Sequence, residues 1–104
     1  MRAFLINAAD KTITTVDVND GLAGIRRLIG YDSVDSDEID ASGDRLYFDE
    51  SCFIHAQEHA GRFRLDTLAP VAGRGVVMGS RGAGTEFADA AVSLEALQRR
   101  VAFS

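Results

Sequence analysis

The sequence predicts an α+β fold: a mainly antiparallel sheet, with elements in the order β-β-α-β-β-β-β-α and two helices packed on one face. Three observations lead there. Ala3-Phe4-Leu5-Ile6 and Pro70-Val71-Ala72-Gly73-Arg74-Gly75-Val76-Val77-Met78-Gly79 are apolar on both faces, which suits strands with neighbours on two sides. Several other runs alternate apolar and polar residues and are separated by short polar turns. Two stretches carry apolar residues at helical spacing, bounded by capping and stop residues.

Arg2 to Asn7 and Thr12 to Val18, joined by Ala8-Ala9-Asp10-Lys11, read as a β-hairpin whose second strand is half exposed. Asn19 or Asp20 is placed to cap a helix with Leu22, Ile25, Leu28 and Ile29 on one face, Arg26 and Arg27 in its last turns and Gly30 as its stop. Tyr31 to Asp37 reads as an acidic connection. Glu38 to Ala41 and Arg45 to Asp49 then flank Ser42-Gly43-Asp44 as a second hairpin, with Ile39, Ala41, Leu46 and Phe48 inward and Tyr47 on the opposite face. Cys52-Phe53-Ile54 is a short apolar, strand-like run, and Arg62 to Leu65 alternates so that Phe63 and Leu65 point inward. Val76 and Val77 are expected beside Leu5 and Ile6 in the middle of the sheet. Ser80 to Ala91, with Gly82 and Gly84 and little periodicity, reads as a mobile loop. Ser93 caps a last helix with Leu94, Leu97 and Val101 as its buried stripe.

A chain of 104 residues suits one domain, 1 to 104, with a core of its own. With 46% hydrophobic and 26% charged residues it has the balance of a folded rather than a disordered protein. Cys52 is the only cysteine, which excludes an internal disulfide, and no secretory signal is evident, so a cytoplasmic location is expected. No apolar run approaches the roughly 20 residues of a membrane span.

The net charge of -5 is unevenly distributed. Eight of the sixteen acids lie between Asp32 and Glu50 (Asp32, Asp35, Asp37, Glu38, Asp40, Asp44, Asp49 and Glu50), where Arg45 is the sole base. Such a cluster repels nucleic acid and attracts basic surfaces, so no direct nucleic-acid binding is expected. Asp32, Asp35, Asp37, Glu38, Asp40 and Asp44 are the candidate protein-binding residues. A solvated, solubilising edge is the plainer account of the same residues.

Catalytic motifs are poorly supported. His55-Ala56-Gln57-Glu58-His59 spells the inverted zincin motif, but that motif needs a supporting helix and a third protein ligand. Cys52, His55 and His59 supply three ligands where a closed zinc site needs four. Gly79-Ser80-Arg81-Gly82-Ala83-Gly84-Thr85 lacks the lysine and the immediate helix of a phosphate loop, and Gly73-Arg74-Gly75 lacks the third glycine of a dinucleotide fingerprint. Asp35, Asp37 and Asp40 do not reproduce a calcium loop. No cofactor and no catalytic residue are expected.

Met1 to Asn7, Lys11 to Val18, Leu22 to Asp32, Asp44 to Glu50, Val71 to Gly79 and Ser93 to Leu97 together resemble a family of uncharacterised proteins of about 100 residues encoded on bacteriophages, plasmids and other mobile elements. The resemblance implies a small cytoplasmic accessory protein that binds rather than converts, and it carries no catalytic residues. The function expected is therefore a non-enzymatic binding or regulatory protein. In its sharper form, the acidic face inhibits a host defence or DNA-processing complex. The alternative is a small metal-dependent or nucleotide-handling enzyme using His55, Glu58 and His59. Tyr47, Phe53 and Phe87 predict an uncovered apolar face and a two-fold homodimer through it. Ser80 to Ala91 folding back over the sheet would cover the same rings instead.

Overall fold

The computed structural model of the chain describes residues 1–55, 61–81 and 86–104. Its elements are β1 (Arg2–Asn7), β2 (Thr12–Asp17), α1 (Leu22–Ile29), β3 (Val34–Glu38), β4 (Arg45–Asp49), α2 (Cys52–His55), β5 (Arg62–Leu65), β6 (Val71–Ala72), β7 (Arg74–Arg81), β8 (Glu86–Ala88), α3 (Leu94–Arg100) and β9 (Val101–Phe103). This is an α+β fold. The large sheet runs β2-β1-β7-β4-β3, with β8 paired to the far end of β7, and a small sheet runs β6-β5-β9. Every pairing is antiparallel.

β7 is the centre of the large sheet, with Val77 opposite Phe4 and Val76 opposite Leu5, as the two doubly apolar segments require. Successive side chains leave opposite faces, so each strand feeds two cores. Ala3, Tyr47, Val76 and Met78 meet Ile25 and Ile29 of α1 on one face. Phe4, Ile6, Leu46 and Val77 meet Phe63, Leu65, Val71 and Leu97 on the other. The two helices with long apolar stripes are thus divided between the faces: α1 covers one, and α3 joins the small sheet over the other. The expectation of two helices on one face fails because the small sheet and α3 form a second layer.

That layer exists because the long apolar segment is broken. Gly73 has φ +86°, which a residue with a side chain rarely adopts, and it turns Val71 and Ala72 away into β6 while Arg74 onward continues as β7. At Gly75 the Phe63 ring lies where a Cβ would be, 2.6 Å from its ideal position, so the two layers approach closely only over a glycine.

Other local readings shift for identifiable reasons. The acidic connection is largely a strand: Val34 to Glu38 pair with Asp49 to Arg45, so the strand begins four residues earlier than the expected Glu38 to Ala41. Val34 packs into the α1-side core, which fixes that register. Cys52 to His55 is a short helix rather than a strand, with Cys52 buried and Phe53 and Ile54 exposed. Ser80 to Ala91 is not a loop throughout, since Gly79 to Arg81 pair with Ala88 to Glu86. The N-cap of α1 is Gly21 without a side-chain bond, because Asp20 pairs with Arg27 and Asn19 donates to Asp17. Ser93 does cap α3, accepting from the Ala96 N–H at 3.1 Å. Val101, expected in its buried stripe, instead opens β9 opposite Leu65.

Candidate functional site

The candidate acids lie on β3 and the connection that follows it, and they divide sharply. Asp32, Asp35 and Glu38 are exposed and Asp37 half-buried. Among the described residues none of the four makes an ion pair. β3 alternates, so Asp35 and Asp37 leave the sheet on the face of Leu46 and Phe48 and Glu38 on the face of Tyr47.

Asp44 is a different kind of residue. Its side chain is buried, and its two oxygens accept hydrogen bonds from the Ala91 N–H at 2.8 Å and the Val92 N–H at 2.9 Å. It anchors the segment between β8 and α3 and has no surface to offer a partner, so it is removed from the candidate set. Asp49 is buried too, accepting from Ser33 Oγ at 3.0 Å and the Ser51 N–H at 3.1 Å. Asp40 stays exposed, but it accepts from the Ser42 N–H at 2.9 Å and faces Arg100 at 3.2 Å. The Ser42 hydrogen bonds, with Arg100 behind them, lower its pKa below 3.8. Asp66 shares Arg100, and its hydrogen bond raises the guanidinium pKa further.

β3 is an edge strand, and half of its outward backbone groups are already occupied. The Ile39 N–H donates to Asp44 O and the Glu50 N–H to Ser33 O, so odd-numbered residues of this segment bond β4 and even-numbered ones face outward. The outward Val34 N–H donates to Asp32 O at 3.1 Å. The outward Ser36 N–H donates to Asp35 Oδ1 at 2.8 Å, while Arg45 wraps the edge and donates to Ser36 O at 3.3 Å and Ser36 Oγ at 3.0 Å. Edge strands that present free backbone groups recruit other strands, and charge and local capping prevent it. The acids of β3 are therefore available as side chains, while the middle of its backbone edge, at Ser36, is closed. Sequence reasoning missed this role of Arg45, whose only signal was its isolation among acids.

The metal candidates lie mostly outside the described residues. Cys52 is buried at the start of α2, His55 ends that helix, and Glu58 and His59 lie outside the described residues. Among the described residues no three His, Cys, Asp or Glu side chains are grouped as metal ligands. Gly79, Ser80 and Arg81 belong to β7, and the remainder of the glycine-rich segment, 82–85, lies outside the described residues. The next described element is a strand, not the helix that a phosphate loop requires. Among the described residues no helix is long and apolar enough to cross a membrane.

Of the three aromatics expected on an open face, two cover each other. Tyr47 is buried, with its ring centroid 5.8 Å from that of Phe87 on β8, and burial raises its pKa. Phe53 remains 55% exposed, with the Arg62 guanidinium 5.2 Å above its ring. The chain segment around β8 folds back over the sheet and covers the Tyr47 part of the face expected to be open.

Comparison of the chain with protein-family models, curated proteins and solved structures finds no match.

Proposed function

We propose that the chain is a small, non-enzymatic accessory protein of the cytoplasm that binds a basic protein surface through Asp32, Asp35, Asp37 and Glu38. The observation that supports this reading most is their lack of counter-charge. Arg45, the one base in the segment, is engaged with the Ser36 backbone, and Arg100 is engaged with Asp40 and Asp66. Four carboxylates on one short stretch give a local negative potential that steers and selects a cationic partner. Because the β3 edge is capped at the Val34 N–H and at Ser36, the reading rests on side-chain charge rather than on addition of a strand. A nucleic-acid-binding surface on a host defence or DNA-processing protein has the matching chemistry, and the resemblance to mobile-element proteins favours a partner of that kind.

The test is affinity capture from cells that carry the gene, with the intact chain and a Asp35→Lys, Asp37→Lys, Glu38→Lys variant of unchanged melting temperature. A partner retained by the intact chain, lost with the variant and released by salt supports the reading. A partner retained equally by both removes the acidic face from the function.

A further inference from the structure

The opposite edge of the large sheet is built differently. Among the described residues β2, Thr12-Ile13-Thr14-Thr15-Val16-Asp17, pairs only with β1. The Val18 N–H donates to Met1 O on one side of β1 and the Ala8 N–H to Gly73 O on the other. Odd-numbered residues of β1 therefore bond β2 through its even-numbered residues. Ile13, Thr15 and Asp17 are left with their N–H and C=O directed away from the sheet. Among the described residues no side chain or backbone group bonds them, in contrast to the caps on Val34 and Ser36. Thr12, Thr14, Thr15 and Asp17 are exposed, so neither α1 nor α3 closes this edge. Five of the six residues from Thr12 to Asp17 are β-branched, and no proline or lysine interrupts them.

We infer that β2 is a docking edge for a second copy of this chain, the two β2 strands pairing antiparallel about a two-fold axis through Thr14. The register follows from hydrogen-bond direction and charge. Only registers that place odd-numbered residues opposite odd-numbered residues join outward-facing groups. Pairing about Thr14 sets Ile13 opposite Thr15 of the second copy, a pair that exchanges two N–H···O=C bonds. The same register brings Lys11, the last turn residue before β2, to the end of the ladder beside Asp17 of the other copy. Pairing about Ile13 or Thr15 leaves both charges without opposite partners. Asp17 is exposed and already takes the Met1 ammonium at 2.8 Å on its own copy, so the incoming lysine adds to an ionised carboxylate. The two large sheets become continuous, and the acidic β3 edges stand at its two ends. This inference is independent of what the acids bind.

One ladder is a small interface, so association is followed by sedimentation from about 10 µM to about 1 mM protein, where interfaces of low area dissociate. Thr15→Pro removes an outward N–H without touching the bonds to β1, and it is expected to weaken the dimer about tenfold or more. Lys11→Asp and Asp17→Lys are each expected to weaken it about threefold to tenfold, and mixing the two variants to restore it, since each then faces opposite charge. Register is read by oxidation: Thr14→Cys faces itself at about 4.5 Å between Cα atoms, within disulfide reach, whereas Thr12→Cys faces Val16. Cys52 is buried and does not compete. Cross-linking of Thr14→Cys in preference to Thr12→Cys supports the register. A constant monomer mass to the highest concentration, a dimer indifferent to Thr15→Pro, or equal cross-linking at both cysteines overturns the inference.

Discussion

Asp35 and Asp44 lie nine positions apart in one hairpin, are the same residue type, and have opposite relations to the fold. Asp35 is exposed on an edge strand and bonds only its neighbour's N–H. Asp44 is 2% exposed and holds two backbone donors from a segment nearly fifty residues later in the chain. The acids up to Glu38 remain available to solvent. Those from Asp40 onward, Asp40, Asp44 and Asp49, hold structure together. Burial alone does not make a carboxylate costly; what matters is whether donors converge on it.

The largest effect tests that statement directly. Val77→Asp buries a carboxylate at a site that is 0% exposed and lined by apolar side chains, with no donor in place. A loss of about 4 kcal/mol or more is expected, enough to unfold a domain of this size in mild denaturant. A soluble variant with an unchanged urea midpoint would remove β7 from the centre of the fold. Asp44→Ala is next: it orphans the Ala91 and Val92 N–H groups and is expected to cost about 3 kcal/mol. Unfolding measured by urea and hydrogen exchange at residues 90–93 report the global and the local loss. Asp49→Ala removes the acceptor of Ser33 Oγ and the Ser51 N–H and is expected to cost about 2 kcal/mol.

Asp40 gives a smaller effect with a pH signature. Its pKa is lowered in the folded chain, so the stability it contributes is fully present well above the unfolded value near 3.8 and is lost as pH falls through the folded value. Asp40→Asn is therefore expected to flatten the fall in melting temperature below about pH 4, by slightly lowering the neutral plateau while leaving the acid end unchanged. An unchanged acid limb would show that the Ser42 and Arg100 contacts do not favour the ionised form. The smallest effect belongs to Asp35→Asn and Glu38→Gln, each expected to lie within about 0.5 kcal/mol of the parent chain. A larger loss in either would move the β3 acids into the structural group and weaken their assignment to a partner.

Much of the architecture was legible locally. The first hairpin, α1 with its Gly30 stop, the alternation in β5 and the Ser93 cap follow from spacing and capping chemistry that act over a few residues. That the strand of Val76 and Val77 lies beside the strand of Leu5 and Ile6 was legible too, because segments apolar on both faces can be satisfied only in the interior of a sheet, although Val77 falls opposite Phe4 rather than Ile6. The candidate site was legible only as composition. Eight acids between Asp32 and Glu50 were plain in the sequence, but nothing local distinguishes Asp44 from Asp35. The donors that separate them come from Ala91 and Val92, a segment that carries no periodic signal.

Composition and short-range pattern thus determined the class of fold, the central strands and the concentration of acid on one hairpin, since hydrophobic alternation and caps operate within a few residues. Tertiary structure decided the rest. Gly73 diverts two residues into a second sheet, Phe63 settles over Gly75, and α3 comes to lie across the sheet from α1. It also decided which edge is partly capped and which is open. Arg45 and Asp35 cap Ser36 on β3, while the outward groups of Ile13 and Thr15 on β2 meet no partner among the described residues. Hydrogen-bond partners depend on which strands become neighbours, and that is settled by burial across the whole chain rather than by the residues beside them.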